Sequence, residues 1–505
     1  MPEDLRRLAG INPWLRGLLL AVLGASAALG QAPWEMPWLT VPVLVAAFAL
    51  PAQGWATAFF NGWAFGLGYF ALALHWIVQP FMVDAARDGW MAPFALLFMA
   101  TGLALFWAAA FGAARSLAPG RGAALALVVC WTGAEIARSL LFTGFPWALI
   151  GHIWTPTPLA QLAAFVGPHG LSFLTLGVAA CVAQARLWSI APVVVLALGW
   201  WGLNPGPAPA IDPAAPLIRL VQPNVPQDEK WNPDRIPVHF QRILDLTAGA
   251  SAAARAPDLV IWPETAIPWI LDQAQGALES SALAARGAPL ILGVQRREDG
   301  RFYNSLALLD RVGAVTALYD KSHLAPFGEY MPLGEVMSRF GIHGLASSEG
   351  GGFSSGPGLS LIDVPGIGPV LPLICYEGIF AEEVNAVQGR ARLMVLITND
   401  AWFGTDSGPY QHFALARLRA IEQGLPMARV ANTGISGLID AQGRVLGQIG
   451  LGQQGLLDLP LPAALPPTLY TKTGDWPVLV LLALLTLGLI TTRRRIVVDP
   501  TARPD

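Results

Sequence analysis

Long apolar stretches dominate the first two hundred residues of the chain and return near its end. Most are close to the ~20 residues that a helix needs to cross a bilayer, although the second is short, and Pro, Gly or a few charges separate each from the next. The pattern predicts a multi-pass α-helical membrane domain of about eight transmembrane helices, seven of them before residue 204. The predicted spans are residues 13–29, 38–50, 56–78, 92–114, 123–141, 159–185, 190–203 and 476–492.

The pattern changes after a proline-rich stretch, NPGPAPAIDPAAP, which cannot hold a helix or a central strand. Beyond it, short apolar runs rich in β-branched residues end in polar residues, with helical patterns between some of them. Short strands mixed with helices predict an α/β domain whose site lies at strand ends. The predicted parts are an N-terminal membrane domain (1–204), a linker (205–216), the α/β domain (217–470), a C-terminal transmembrane helix (474–495) and a tail (496–505).

Composition supports a membrane protein and excludes other classes. Hydrophobic residues make up 54% of the 505 residues and charged ones only 13%, a balance that is rare in soluble proteins. The net charge of −3 comes without a basic cluster interleaved with aromatics, so nucleic acid is not an expected partner. Three cysteines build no disulfide framework, and no CxxC or His-rich spacing predicts a metal site.

Lysine and arginine positions predict the orientation in the membrane. With eight spans, the arginines that flank them fall on one side, which the positive-inside rule makes cytoplasmic. Both termini are then cytoplasmic, and the α/β domain lies on the opposite side. The arginines concerned are Arg6, Arg7, Arg16, Arg115, Arg121, Arg186, Arg493, Arg494 and Arg495.

Cys375 is the one cysteine outside the apolar spans, and it ends a strand-like run, LPLIC. At such a strand end, free backbone N–H groups can bind a developing oxyanion and lower the pKa of a thiol. The alternative is that Cys375 is a small hydrophobic residue of the core.

Two further residues sit at strand ends and carry the chemistry that a thiol nucleophile needs. Glu264, in LVIWPETAIP, is a candidate base, although a solvated turn residue is the alternative. Lys321, in ALYDKSHLAPFGEY, is a candidate for stabilising an oxyanion, although many lysines are simply exposed. Glu329 follows eight residues later and offers Lys321 an ionic partner.

The segments WPETAIP, DKSHLAPFGEY and LICYEG, in this order, resemble the Glu-Lys-Cys triad of the nitrilase superfamily of carbon–nitrogen hydrolases. The resemblance implies an αββα sandwich for the α/β domain. It also implies that Glu264 is the general base, Lys321 the oxyanion-stabilising cation and Cys375 the nucleophile that forms an acyl intermediate.

Nearly the whole chain resembles a narrower family, the bacterial apolipoprotein N-acyltransferases. By this resemblance Glu329 and Glu377 are supporting acids, and the backbone of Tyr376 joins the oxyanion hole. Trp231, Trp402 and Asn304 are candidate substrate-binding residues. The motifs that carry the resemblance are FTGFPW (142–147), QPNVPQDEKW (222–231), YNSL (303–306), PFGEYMP (326–332), CYEG (375–378), NDAWFG (399–404) and RVANTGISGLID (429–440).

The resemblance implies a ping-pong acyl transfer without a cofactor. A phospholipid would donate the acyl chain to Cys375, and the N-terminal amine of the S-diacylglyceryl cysteine of an apolipoprotein would accept it. The expected location is the bacterial inner membrane, with the nitrilase-like domain in the periplasm. The protein is expected to be a monomer. Two alternatives stay open: a membrane-tethered amidase that uses water as acceptor, and a non-catalytic lipid-binding or transport protein.

Three polar residues have no clear role in this interpretation. Glu135 and Arg138 share one face of a predicted span and form either a structural ion pair or a contact for a lipid headgroup. His412, in GPYQHFALARLRAIEQ, is expected at a packed or capping position.

Overall fold

The structure is a computed structural model that describes residues 12–50, 54–118, 120, 122–184, 190–208, 210, 212–251, 255–332 and 352–498. It consists of two compact units. The first unit consists of three segments: the chain up to Val78, Met91–Asn204, and the chain from Leu469 onwards. The second unit comprises Gln79–Trp90 and Pro205–Thr468. Of the arginines that predict the orientation, Arg6, Arg7, Arg121 and Arg186 lie outside the described residues.

Helices make up most of the first unit. The second unit has helices of its own, which cover its sheets. In chain order the α-helices are α1 (Pro13–Ala28), α2 (Pro37–Phe48), α3 (Trp55–Ala73), α4 (Ala92–Leu117), α5 (Ala123–Leu140), α6 (Ala163–Ala183), α7 (Ile190–Gly202), α8 (Ile236–Ala248), α9 (Gln275–Ala284), α10 (Ala381–Ala386), α11 (Gly408–Gln423), α12 (Leu469–Thr473) and α13 (Trp476–Val498), with a single turn at Ala85–Asp88 between α3 and α4.

Length and hydropathy alone support fewer membrane-crossing helices than the predicted eight, so the count of eight is not confirmed. Within the described ranges, four are long and apolar enough, or five if a pair bent by 46° counts as one span. Helices α1, α2 and α7 have 16, 12 and 13 residues, which is short of the ~20 that a span needs. The four are Ala85–Leu117, Ala123–Thr143, Pro158–Ala183 and Trp476–Arg493, and the bent pair is Trp55–Ala73 with His75–Met82.

Two glycines let α1 and α3 pack against each other at close range. A Cβ at Gly24 would lie 1.8 Å from the carbonyl oxygen of Phe65, and one at Gly68 would lie 1.8 Å from that of Ala21. Neither backbone oxygen can move without breaking its helix. Small residues at such contacts are typical of helices that associate in lipid.

A buried polar cluster occupies the first unit where α5 ends. Glu135 and Arg138 form an ion pair at 3.1 Å, and neither side chain is exposed. Arg138 donates to the carbonyl oxygens of Phe145 and Trp147 at 2.6 and 2.7 Å, while Glu135 accepts from the backbone N–H of Ile150 at 2.9 Å. The pair thus organises the irregular segment after α5, which favours the structural alternative over a headgroup contact.

Within the described residues, twelve strands form two six-stranded sheets in the second unit. The first sheet has the order β12-β1-β2-β3-β4-β5 and the second β11-β10-β9-β8-β7-β6. Strands β1, β2 and β3 run parallel, as do β7, β8 and β9, and the outer pairs are antiparallel. The strands are β1 (Leu217–Gln222), β2 (Leu259–Ile261), β3 (Leu290–Glu298), β4 (Arg301–Leu309), β5 (Val315–Asp320), β6 (Ile362–Val364), β7 (Gly368–Ile374), β8 (Leu393–Thr398), β9 (Met427–Ala431), β10 (Ser436–Ile439), β11 (Val445–Ile449) and β12 (Gly455–Pro460).

Alternate residues of each central strand face opposite layers. In β8, Val395 packs in a core shared by both sheets, while Met394 and Leu396 pack in a second core with residues of α10 and α11. A third core joins the first sheet to α8 and α9. Because both faces are covered, central strands such as β2 and β8 are almost continuously apolar. The expected αββα layering is confirmed.

Candidate active site

Cys375 lies where β7 ends and a 3₁₀ turn, Cys375–Ile379, begins. Its φ is +50°, in the left-handed region that a residue with a Cβ rarely adopts. Such a conformation costs about 1–3 kcal/mol and persists only when the surroundings impose it. The strand before it is fixed by parallel pairing with β8, so the thiol is presented from a rigid junction.

Lys321 follows β5 directly, and its backbone N–H donates to the carbonyl of Asn304 at 2.8 Å. Its side chain is 1% exposed. The ammonium lies 2.7 Å from Oε2 of Glu329 and 3.8 Å from Oε1 of Glu264. The ionic contact that the eight-residue spacing predicts between Lys321 and Glu329 is therefore present.

Glu264 is buried just beyond β2 and is fixed through both carboxylate oxygens. Oε1 accepts from the side-chain amide of Asn304 at 2.6 Å, and Oε2 accepts from the backbone N–H of Asn399 at 2.8 Å. The turn packs directly on β3, where a Cβ at Gly293 would lie 2.4 Å from the backbone nitrogen of Thr265. This arrangement contradicts the alternative of a solvated turn residue.

Asn304 joins the two carboxylates. Its Nδ2 donates to Glu264 at 2.6 Å and to Glu329 at 2.9 Å, and its Oδ1 has no hydrogen-bond partner among the described residues. The amide nitrogen of this predicted substrate-binding residue is thus engaged within the protein. Its evident structural effect is to hold Glu264 and Glu329 on either side of Lys321.

The pKa values of the thiol and the ammonium both lie above their ordinary values. Burial raises the pKa of Cys375, the negative charge of Glu264 raises it further, and Lys321 opposes both. Burial lowers the pKa of Lys321, but the carboxylates of Glu329 and Glu264 outweigh burial and raise it. The expectation of a lowered thiol pKa is wrong, because burial was not visible in the sequence. At neutral pH the thiol keeps its proton and needs a base to remove it.

Glu377 is fully buried and connects the loop of Lys321 to the strand of Cys375. It accepts from the backbone N–H of Ile374 at 2.8 Å, and from the backbone N–H groups of Ser322 and His323 at 2.7 and 3.2 Å. Tyr319 donates to it at 2.5 Å. Glu377 therefore supports the site through the backbone of both loops.

The remaining predicted residues lie around this centre. Tyr376 is buried in the 3₁₀ turn, with its ring against those of His323 and Phe380. Trp231 is 45% exposed, and Trp402 is half-buried in the turn Asp400–Phe403. The ring of Trp231 lies 5.9 Å from the ammonium of Lys230, the neighbour of Trp231 in the chain.

A cavity of about 40 Å³ adjoins Glu264. Lys230 lines it, donates to the carbonyl of Glu264 at 3.4 Å, and has its pKa lowered by burial to about 8. The volume suits a few water molecules and is far too small for an acyl chain. Among the described residues no group of three or more His, Cys, Asp or Glu side chains could hold a metal ion.

Sequence reasoning missed a polar group at the ends of β8 and β9. Asn399 holds Glu264, and Asp400, the next residue, pairs with Arg429 at 2.6 Å and lies 2.9 Å from Nδ1 of His412. Two signals were available: NDAWFG begins directly after an apolar strand, and Arg429 interrupts another.

The αββα sandwich is the fold of a carbon–nitrogen hydrolase domain, and a family model described as carbon–nitrogen hydrolase matches residues 217–465. A second model, described as the apolipoprotein N-acyltransferase N-terminal domain, matches residues 23–181. An apolipoprotein N-acyltransferase of Rhodopseudomonas palustris is 38% identical over 95% of this chain and 96% of its own length. One of Bradyrhizobium diazoefficiens is 39% identical over 96% of each. The chain belongs to the apolipoprotein N-acyltransferase family.

Solved structures of smaller proteins align with about half of the chain. XC1258 from Xanthomonas campestris, described as a CN-hydrolase superfamily protein, is 22% identical and aligns over 53% of this chain and 96% of its own, with a TM-score of 0.36. A mutant of an amidase from Nesterenkonia AN1, described as a member of the nitrilase superfamily, is 20% identical and aligns over 54% and 99%, with a TM-score of 0.39.

Proposed function

We propose that the protein moves a fatty acyl chain from a phospholipid, through a thioester on Cys375, to the N-terminal amine of the S-diacylglyceryl cysteine of a bacterial apolipoprotein. One observation carries the proposal. In a chain of this family, two carboxylates flank the buried ammonium of Lys321, and the charges of Glu264 and Lys321 both act on the thiol of Cys375.

In the first half-reaction Glu264 takes the proton of the thiol while Cys375 attacks the ester carbonyl of the phospholipid. A base is required because the raised pKa of Cys375 keeps the thiol protonated. Lys321, charged at every physiological pH because its pKa is raised, stabilises the oxyanion of the tetrahedral intermediate. The intermediate expels a lysophospholipid, which takes the proton from Glu264, and the thioester remains.

In the second half-reaction the amine of the diacylglyceryl cysteine attacks the thioester carbonyl. Glu264 accepts the proton of the amine, Lys321 again faces the oxyanion, and the thiolate of Cys375 leaves and recovers the proton. The products are the amide of the N-acylated lipoprotein and the free enzyme, so no cofactor is consumed. Water must be kept from the thioester in the interval, and the burial of the site supports this requirement.

Supporting roles follow from the contacts. We assign Glu329 and Glu377 to holding Lys321 and its loop, and the backbone of Tyr376 to the oxyanion hole. Asn304 positions the two carboxylates. The exposed ring of Trp231 and the half-buried ring of Trp402 are proposed to contact the lipid substrates.

We also propose the membrane arrangement, with eight spans, both termini in the cytoplasm, the α/β domain in the periplasm, and a monomeric protein in the inner membrane. The short helices α1, α2 and α7 would then span only with flanking residues or local thinning of the bilayer. The proposed parts keep the boundaries 1–204, 205–216, 217–470, 474–495 and 496–505. Reporter fusions after residues 204 and 470 test the periplasmic side.

Mass spectrometry of the detergent-purified protein, incubated with phospholipid alone, tests the chemistry. The expected result is a fatty-acyl adduct on the Cys375 peptide, absent from Cys375→Ala, that a diacylglyceryl-cysteine peptide discharges and water discharges only slowly. An adduct that water discharges rapidly would instead indicate an amidase-like hydrolase. A Cys375→Ala protein that still N-acylates the peptide would overturn the proposal.

A further inference from the structure

A buried charged cluster contacts the backbone of the nucleophile. Nε2 of His412 lies 3.2 Å from the carbonyl oxygen of Cys375. Because a carbonyl oxygen only accepts hydrogen bonds, Nε2 must carry a proton and donate it. His412 is 1% exposed, so water does not compete for this contact.

The imidazole is fixed from its other side. Nδ1 of His412 lies 2.9 Å from Oδ1 of Asp400 and 3.1 Å from a guanidinium nitrogen of Arg429. Asp400 is itself held, because it accepts from the hydroxyl of Thr398 at 2.9 Å and from Arg429 at 2.6 Å. The ring therefore cannot flip without losing a charged contact.

The position of this contact in the chain gives it a specific consequence. Cys375 has a φ of +50°, and its orientation decides where the thiol points. On its N-terminal side, the N–H of Ile374 is bound by Glu377 at 2.8 Å. On its C-terminal side, the carbonyl of Cys375 is bound by His412.

The same strand end fixes the base. Asn399, which binds Glu264 through its backbone N–H, is the neighbour of Asp400 in the chain. The end of β8 therefore connects the carboxylate that takes the proton to the cluster that orients the thiol.

We propose that His412 is a positioning residue for acyl transfer, which holds the carbonyl of Cys375 so that the thiol keeps its angle to the ester carbonyl and to Glu264. Its Nε2 proton is given to the backbone carbonyl of Cys375, so the role that we assign to His412 is to orient the nucleophile. The inference rests on the proposed function, in which Cys375 is the nucleophile.

Three variants separate positioning from folding. His412→Asn keeps an amide near the position of Nδ1, within reach of Asp400, but does not reach the carbonyl of Cys375. His412→Gln places an amide N–H near the position of Nε2 and restores that donor. His412→Phe removes both contacts. Arg417→Met is the matched control, because Arg417 also lies on α11 and donates to a backbone carbonyl, that of Gly443, at 2.9 Å.

The measurement is the single-turnover rate of acyl-Cys375 formation from phospholipid, with the phospholipid KM and the melting temperature in detergent. We expect His412→Asn and His412→Phe to slow acylation by about 10- to 100-fold at unchanged KM, because a misplacement of the nucleophile by about 1 Å costs this much. His412→Gln should recover most of the rate, and Arg417→Met should acylate like the wild type.

Two outcomes would overturn the inference: His412→Asn acylating at the wild-type rate, or His412→Gln being as slow as His412→Asn. Alkylation of Cys375 by iodoacetamide, which needs no oriented ester, should change much less than acylation in all variants. A wild-type protein that alkylates normally but never acquires an acyl chain would contradict the proposed function instead, so the two failures are distinguishable.

Discussion

Two of the buried ionic clusters among the described residues differ in character, one in each unit. In the helical unit one carboxylate, Glu135, faces one cation, Arg138, at 3.1 Å. In the sandwich, Lys321 is shared by two carboxylates, Glu329 at 2.7 Å and Glu264 at 3.8 Å, and the charges of Lys321 and Glu264 also act on the thiol of Cys375.

The difference separates a structural cluster from one with a proposed reactive role. The Glu135–Arg138 pair makes further hydrogen bonds with backbone groups of residues 145–150, and so it fixes a loop; the indole N–H of Trp107 also donates to Glu135, at 3.0 Å. In the proposed mechanism Glu264 takes the proton of the thiol of Cys375, whose pKa its charge raises. A buried charge is therefore a sign of chemistry where it acts on a nucleophile and not only on its counter-ion.

The sharpest way to break the comparison is Glu264→Gln. An amide cannot accept the thiol proton, so acyl transfer should fall by about 10³-fold or more, while the melting temperature stays near that of the wild type because the shape is kept. Single-turnover acylation and thermal melting measure the two effects. Glu279→Gln, at an exposed position on α9, is the control. Acylation by Glu264→Gln within tenfold of the wild type would remove Glu264 from the mechanism.

Lys321→Met should have the next largest effect. Loss of the cation that faces the oxyanion is expected to slow acylation by about 10²- to 10³-fold. It also leaves Glu264 and Glu329 buried together without the cation that they share. Lys472→Met, which removes an exposed lysine, should leave the rate unchanged. Equal rates for Lys321→Met and Lys472→Met would show that the ammonium is dispensable.

Glu135→Gln tests the other side of the comparison. Removing one partner of a buried pair leaves Arg138 uncompensated, and the expected loss of stability is about 3–5 kcal/mol. Acylation per folded molecule should stay within about threefold of the wild type. The double variant Glu135→Gln with Arg138→Gln should recover part of the melting temperature. A Glu135→Gln protein of normal stability without activity would instead make the pair functional.

The smallest expected effect is a change in the rate at which iodoacetamide alkylates the thiol of Cys375. The rate should change in opposite directions in two variants. Because the charge of Glu264 raises the pKa of Cys375 and that of Lys321 lowers it, Glu264→Gln should speed iodoacetamide alkylation at pH 8 and Lys321→Met should slow it. Below the pKa, the thiolate fraction rises about tenfold per pH unit, so alkylation of the wild type should still be rising at pH 9. A plateau near pH 8.5 would contradict the raised pKa.

Much of the site could be predicted because its signals are local. A polar or reactive residue at or just beyond the end of a strand-like run is visible in the sequence. Lys321 and Cys375 directly follow β5 and β7, and Glu264 lies just beyond β2. The lengths of the apolar stretches likewise predicted a membrane protein. The count of spans was less certain, because the apolar stretches at 13–29, 38–50 and 190–203 are themselves shorter than the ~20 residues of a span.

What the tertiary structure decided depends on residues far apart in the chain. Asn304 and Asn399, which bind the carboxylate of Glu264, are 40 and 135 residues away from it in the sequence. The order of strands in the two sheets brings the three residues together. Burial, which reverses the expected shift of the thiol pKa, is a property of the packed layers. So is the contact of His412 with Cys375, because it needs a helix from one segment to meet a strand end from another. The sequence determined which groups stand at strand ends, and the packing of the sheets decided which of them lie together.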